Sequence, residues 1–350
     1  MSLEPPRANP ILLGHEAAEA ALHEAARSGR LHHAWLLAGP PGIGKATLAF
    51  RFARWLLAGA PQAAEALGNS LALPPEHPVF RRVAAAGHAD LLTVECAYDE
   101  KRHRQRTEIV VDDVRTIPGF LRLTPAEGGW RVVVLDGAEA MNRNAANAVL
   151  KALEEPPQRS ALLLVSNAPG RLLPTIRSRC RLLALSPLDM TAMGEVLGRA
   201  LPEMPEAERE KLALLAGGSP GRALDLVAEE GVALAGLVGE VLRGLPELPV
   251  GRAHEVADAL GRSDTAFATF MDLLRAALAA AVGAAARGGA DSEQARIAGL
   301  RPLAAWSDVW HALGRLQDDT ERFYLDKRQA IVSGLSLLSG PERAQPHRDQ

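Results

Sequence analysis

Residues 34–47 read AWLLAGPPGIGKAT. The apolar run Ala34–Ala38 ends in glycine and proline, which is how a short buried strand ends. The next seven residues, Gly39-Pro40-Pro41-Gly42-Ile43-Gly44-Lys45, fit G-x-x-x-x-G-K, the core of a phosphate-binding loop. From Lys45 to Ala58 the apolar period becomes helical. Gly39, Gly42 and Gly44 would let backbone N–H groups turn inward around a phosphate. Lys45 would reach the outer phosphates, and the helix start would add its positive end. The plain alternative is a Gly/Pro turn without a ligand, but strand before and helix after favour the phosphate loop.

Working outward, Leu91–Cys96, Arg131–Leu135, Ala161–Val165 and Arg181–Leu185 read as further strands. Glu16–Ala26 reads as a helix before the first strand, and Lys45–Ala58, Val111–Leu123 and Asn144–Leu153 read as helices between strands. Asp112 and Asp113 suit the first turn of Val111–Leu123, Pro118-Gly119 should end or kink it, and Pro156-Pro157 stop Asn144–Leu153. Such alternation predicts a parallel α/β sheet. Pro61–His88 reads as an irregular insertion with one short helix, and Tyr98–Arg106 as a charged loop.

Beyond Ser186-Pro187 no strand pattern returns. Met190–Ala200, Pro205–Ala216 and Gly221–Glu229 predict a small three-helix bundle. Ala/Leu-rich helices follow from Val232 to Leu338, interrupted at Leu248–Gly251. The expected class is α/β followed by all-α. The expected division is a P-loop sheet domain at 1–186, a helical lid at 187–231, a helical domain at 232–339 and a disordered tail at 340–350.

The bulk properties narrow the partners. The formal net charge is −3 over 350 residues, so any contact with DNA would be local or shared. Cys96 and Cys180 are the two cysteines, which excludes a four-cysteine zinc site within the chain. Neither has a recognisable base beside it, and both read as core residues. The start, MSLEPPRANP, has no apolar core of the signal-peptide kind. Ala276–Ala286 is apolar but short for a bilayer. The expectation is a soluble cytoplasmic protein without a membrane partner. Lys101–Arg106 is basic and would suit DNA phosphates, but reads first as a solvated loop. His32-His33 lacks ligand-spaced partners and reads as structural.

Two positions depart from a hydrolysing site. The residue after Lys45 is Ala46, where a hydroxyl normally holds Mg²⁺. Thr47 is one residue late, about 100° further round the helix. It would lie beside a phosphate rather than at the metal. Val132–Asp136 is an apolar strand ending in a carboxylate, as in a Walker B strand. The next residue is Gly137 rather than a glutamate that would orient water, and Glu139 is no obvious replacement. Asp136 would face a nucleotide, or else cap the following turn.

Ser178-Arg179-Cys180 follows Ala161–Asn167 and Leu172–Arg177 in a pattern that resembles the clamp-loader branch of the AAA+ ATPases. Gly14-His15, Gly29–Leu37, Asn147–Pro157 and Gly218–Leu224 extend the resemblance over about residues 10–225. It implies an arginine finger in trans for Arg179, whose plain alternative is a surface ion pair. It places Ser166 and Asn167 at the sensor-1 position and Arg222 at sensor 2, against a polar strand end and a solvated helix start. ATP or ADP would be the ligand.

The implied role is a clamp-loader subunit of the DNA polymerase III holoenzyme. Its partners would be the gamma or tau motor and the delta subunit and, through the complex, a sliding clamp and primed DNA. The helical domain would be the collar. Ala46 and Gly137 imply a non-motor subunit. An active AAA+ motor would be expected to keep the hydroxyl and an Asp-Glu pair. A P-loop small-molecule kinase would leave the Ser-Arg-Cys motif and the helical tail unexplained. Many relatives carry a four-cysteine zinc module after the P-loop helix. Pro61–Ala89 has no cysteine, so no zinc is expected there.

Overall fold

The computed structural model describes residues 4–59, 70–99, 104–127, 129–261 and 263–339. The calls on 340–350, on 101–103 and on 61–69 of the insertion lie outside these residues. The chain divides into two compact units, residues 1–222 and 223–350.

The first unit is built on a five-stranded parallel sheet. Its strands are β1 (Ala34–Ala38), β2 (Leu91–Val94), β5 (Arg131–Asp136), β6 (Ser160–Ser166) and β7 (Arg181–Ala184), in the order β2-β5-β6-β1-β7. Every residue of β1 and β6 is buried, as expected of continuous apolar strands covered on both faces. Each fully buried leucine there contributes about 1.5–3 kcal/mol of transfer free energy. The longer helices of this unit are α1 (Glu16–Arg27), α2 (Lys45–Leu57), α3 (Arg143–Glu154), α4 (Met190–Ala200), α5 (Glu206–Ala216) and α6 (Pro220–Ala228), the last running into the second unit.

Two details differ from the sequence expectations, and the described part of the insertion keeps the expected short helix, Pro78–Ala84. Val111–Leu123 is two short helices, Val111–Val114 and Ile117–Arg122. Pro118 sits in the first turn of the second, where its missing N–H costs nothing, so it starts a helix rather than ending one. The charged loop at Tyr98–Arg106 contains a two-strand antiparallel ribbon, β3 (Tyr98–Asp99) with β4 (Arg104–Gln105). The segment after residue 69 is held by ordinary packing. Leu71, Leu73, Val79, Phe80 and Val83 are buried, Glu19 accepts from Leu71 N–H at 2.8 Å, and the Arg54 guanidinium lies over the Phe80 ring at 4.4 Å.

The second unit contains α7 (Gly231–Arg243), α8 (Val250–Leu260), α9 (Asp264–Ala286), α10 (Ser292–Gly299), α11 (Leu303–Phe323) and α12 (Lys327–Ser339). The apolar stretch noted at Ala276–Ala286 belongs to the 23-residue α9, which is long and apolar enough to cross a bilayer. In the bundle α9 packs on α7, α10 and α11, with Phe267, Phe270, Leu274 and Leu278 buried.

Candidate functional site

The loop Gly39–Gly44 leaves the carboxyl end of β1, between β6 and β7, where ligands bind in open α/β sheets. The sheet fixes its entry: Gly39 N–H donates to the Ser166 carbonyl at 3.3 Å. A side chain at Gly39 would put its Cβ 2.4 Å from the Leu185 carbonyl oxygen. Gly44, at φ 105°, is the N-cap of α2. His15 is buried and its Nε2 donates to the Ile43 carbonyl at 2.6 Å, tying the N-terminal segment to the loop.

Lys45 begins α2 and is 4% exposed. Its ammonium donates to the Pro40 carbonyl within its own loop. Burial pushes its pKa down, partly opposed by the charges of Asp136 and Glu139. Asp136 ends β5 in register with Val165. Burial, then the Glu95 charge, hold its carboxyl above the usual range, against Lys45 and the Gly137 N–H. Thr47 is buried on α2, one position beyond Ala46.

Glu139 belongs to this site, although its place in the sequence argued against it. Gly137 takes φ 75°, a left-handed conformation that starts the 3₁₀ turn Ala138–Ala140. That turn brings Glu139 back toward β6, where Oε1 accepts the Asn167 N–H at 3.0 Å. Its other oxygen, Oε2, is buried without a hydrogen-bond partner among the described residues. Sequence reasoning also missed Glu95. Only the left-handed glycine signalled the return of Glu139.

The turn before α6 rests on the phosphate loop. Ser219 Oγ donates to the Pro41 carbonyl at 2.9 Å, and Gly221 N–H to the Gly42 carbonyl at 2.9 Å. Gly42, at φ 72°, would place a Cβ 2.4 Å from Ser219 Oγ. Arg222 N–H donates to Ser219 Oγ at 3.2 Å, so the start of α6 is fixed against the loop. The structure thus gathers Gly39, Gly42, Gly44, Lys45, Asp136, Asn167 and the backbone of Arg222 at one corner.

Arg179 is held elsewhere, behind the short helix Pro174–Arg177. Its side chain is 37% exposed and pairs with Glu154 Oε1 at 2.9 Å. A second N–H donates to the Thr175 carbonyl at 3.0 Å. Cys180 beside it is turned inward, and burial pushes its thiol up to about 12. Cys96 also packs on the core, and burial raises its thiol. His33 donates to the Leu153 carbonyl at 3.0 Å, stacked on His32.

The glycine cradle and Lys45 suit a phosphate. The Mg²⁺ ligand set does not fit, because Ala46 lacks the side-chain hydroxyl that would hold the metal.

A parallel sheet in this order, with a glycine-rich G-x-x-x-x-G-K loop after β1 and a carboxylate ending β5, is the open α/β sheet of a P-loop protein, and a helical C-terminal unit follows it in the chain. A family model described as DNA polymerase III, delta subunit, matches residues 14–189, half of the chain, and the chain belongs to that family. It is 46% identical over 188 residues to DNA polymerase III subunit delta′ of Pseudomonas aeruginosa, covering 54% of this chain and 53% of that protein. The delta′ subunit of Escherichia coli K12 is 34% identical over 200 residues, 57% and 56% of the two chains. DNA polymerase III subunit tau of E. coli K12 is 30% identical over 231 residues, 66% of this chain and 33% of that one. The matched region spans about half the length of the delta′ relatives.

Proposed function

We propose that this chain is a clamp-loader subunit of a bacterial DNA polymerase III holoenzyme, of the non-motor, delta′ kind, working in the cytoplasm. The observation that carries this is family membership combined with two losses in separate motifs: Ala46 for the metal hydroxyl and Gly137 for the water-orienting glutamate. Arg179 then acts on a neighbour. An exposed guanidinium next to a partner's nucleotide would stabilise the charge that develops on the transferred phosphoryl group. Lys45 and the loop glycines would hold ATP or ADP as a static ligand; no hydrolytic step runs through this chain. The partners are the gamma or tau motor and the delta subunit, and through them a sliding clamp and primed DNA.

One observation favours a second reading, an active motor. Glu139 reaches the phosphate-loop corner despite its displaced position. ATP turnover by the purified chain, alone and assembled with the motor and delta subunits, separates the two. The chain alone should show no turnover above background, and clamp loading on primed DNA should require its presence. DNA-stimulated turnover by the chain alone would establish the motor reading.

A further inference from the structure

We infer that Glu154 is a positioning residue for Arg179, holding its guanidinium ready for a neighbouring subunit. This rests on the trans-finger reading of Arg179. Glu154 is the last residue of α3, just before Pro156-Pro157 ends any further helix. Thr175 lies on the short helix that precedes Arg179. The two anchors are therefore on different elements, but their bases share one core. Val149, Ala152 and Leu153 of α3 and Ile176 of the short helix are buried in the same cluster. The Glu154 carboxylate and the Thr175 carbonyl are thus fixed relative to each other by packing, and they grip two different nitrogens of the guanidinium.

An arginine side chain has many rotamers, and ordering it at the moment of phosphate contact would cost rate. Two anchors order it beforehand. A guanidinium has five N–H donors, so one bond at each of two nitrogens leaves donors for a phosphate. The pair is half-exposed, and such pairs contribute little to folding stability. Its function lies in geometry, and a Glu154 variant should fold and assemble.

The test is DNA-stimulated ATP turnover of the motor assembled with this chain, with assembly checked by sizing. Glu154→Ala, Glu154→Gln, Arg179→Ala and the double variant E154A/R179A are compared. The expected result is a roughly ten-fold fall in kcat for Glu154→Ala at unchanged KM for ATP. Glu154→Gln, which keeps an oxygen at the same place, should restore most of it. In the Arg179→Ala background, Glu154→Ala should have no added effect. Wild-type turnover in Glu154→Ala, or the same fold-loss with and without Arg179, would overturn the inference. Wild-type turnover in Arg179→Ala would instead sink the finger reading beneath it.

Discussion

The phosphate-loop corner and the Arg179 corner each present a cation suited to a phosphate, in opposite surroundings. Lys45 is 4% exposed, bonded to its own loop and faced by Asp136 and Glu139. The Arg179 side chain is 37% exposed and gripped at one edge, with a half-buried cysteine beside it. A cation turned into the fold serves the fold or a static ligand. A cation ordered at the surface is placed to meet something outside the chain. On the function proposed above, Arg179 rather than Lys45 would be the group that meets a transferring phosphate.

The contrast breaks most sharply at Gly42. Gly42→Ala forces a side chain into a left-handed backbone and against Ser219 Oγ. It should destabilise the first unit by about 3 kcal/mol, read as a lowered denaturant midpoint. An unchanged midpoint would show that the turn before α6 lifts freely from the loop.

Ser219→Ala is the milder version. It removes the bond to Pro41 and the acceptor for Arg222 N–H, and should cost about 1 kcal/mol in the same assay. Combined with Gly42→Ala, its effect should be non-additive, because the two sites touch.

The smallest effect concerns the back of the Arg179 corner. The Cys180 thiol stays protonated in the native chain until about pH 12. An acid with a raised native pKa binds its proton more tightly when folded. Its contribution is therefore lost as pH climbs from the ordinary thiol range toward 12. At pH 8 iodoacetamide should modify Cys180 at least about ten-fold more slowly in the native chain than in the unfolded one, measured by mass spectrometry. Equal rates would mean that Arg179 stands on a loose base.

What the sequence revealed was local. The strands were legible because β1, β5 and β6 are apolar runs, and the phosphate loop because its glycines and Lys45 are contiguous. What it concealed was brought together by the fold. Glu139 returns to the site through the left-handed Gly137, and no pattern of charges foretells that. The Ser219–Pro41 bond joins residues 178 positions apart. Pro118 was expected to end or kink the helix; the stretch is indeed broken, but just before Pro118, which opens the second helix. Arg179 was singled out by its motif, but its Glu154 partner depends on how α3 packs against the short helix Pro174–Arg177.

The central claim is that Arg179 works on a neighbour's nucleotide, and one measurement meets it directly. Single-turnover hydrolysis is followed at the motor site facing this chain, in complexes assembled with wild-type or Arg179→Ala subunit and matched by sizing. The account predicts a loss on the order of 10³-fold at that site with assembly intact. Unchanged hydrolysis in a properly assembled complex would contradict it and leave the chain a passive scaffold.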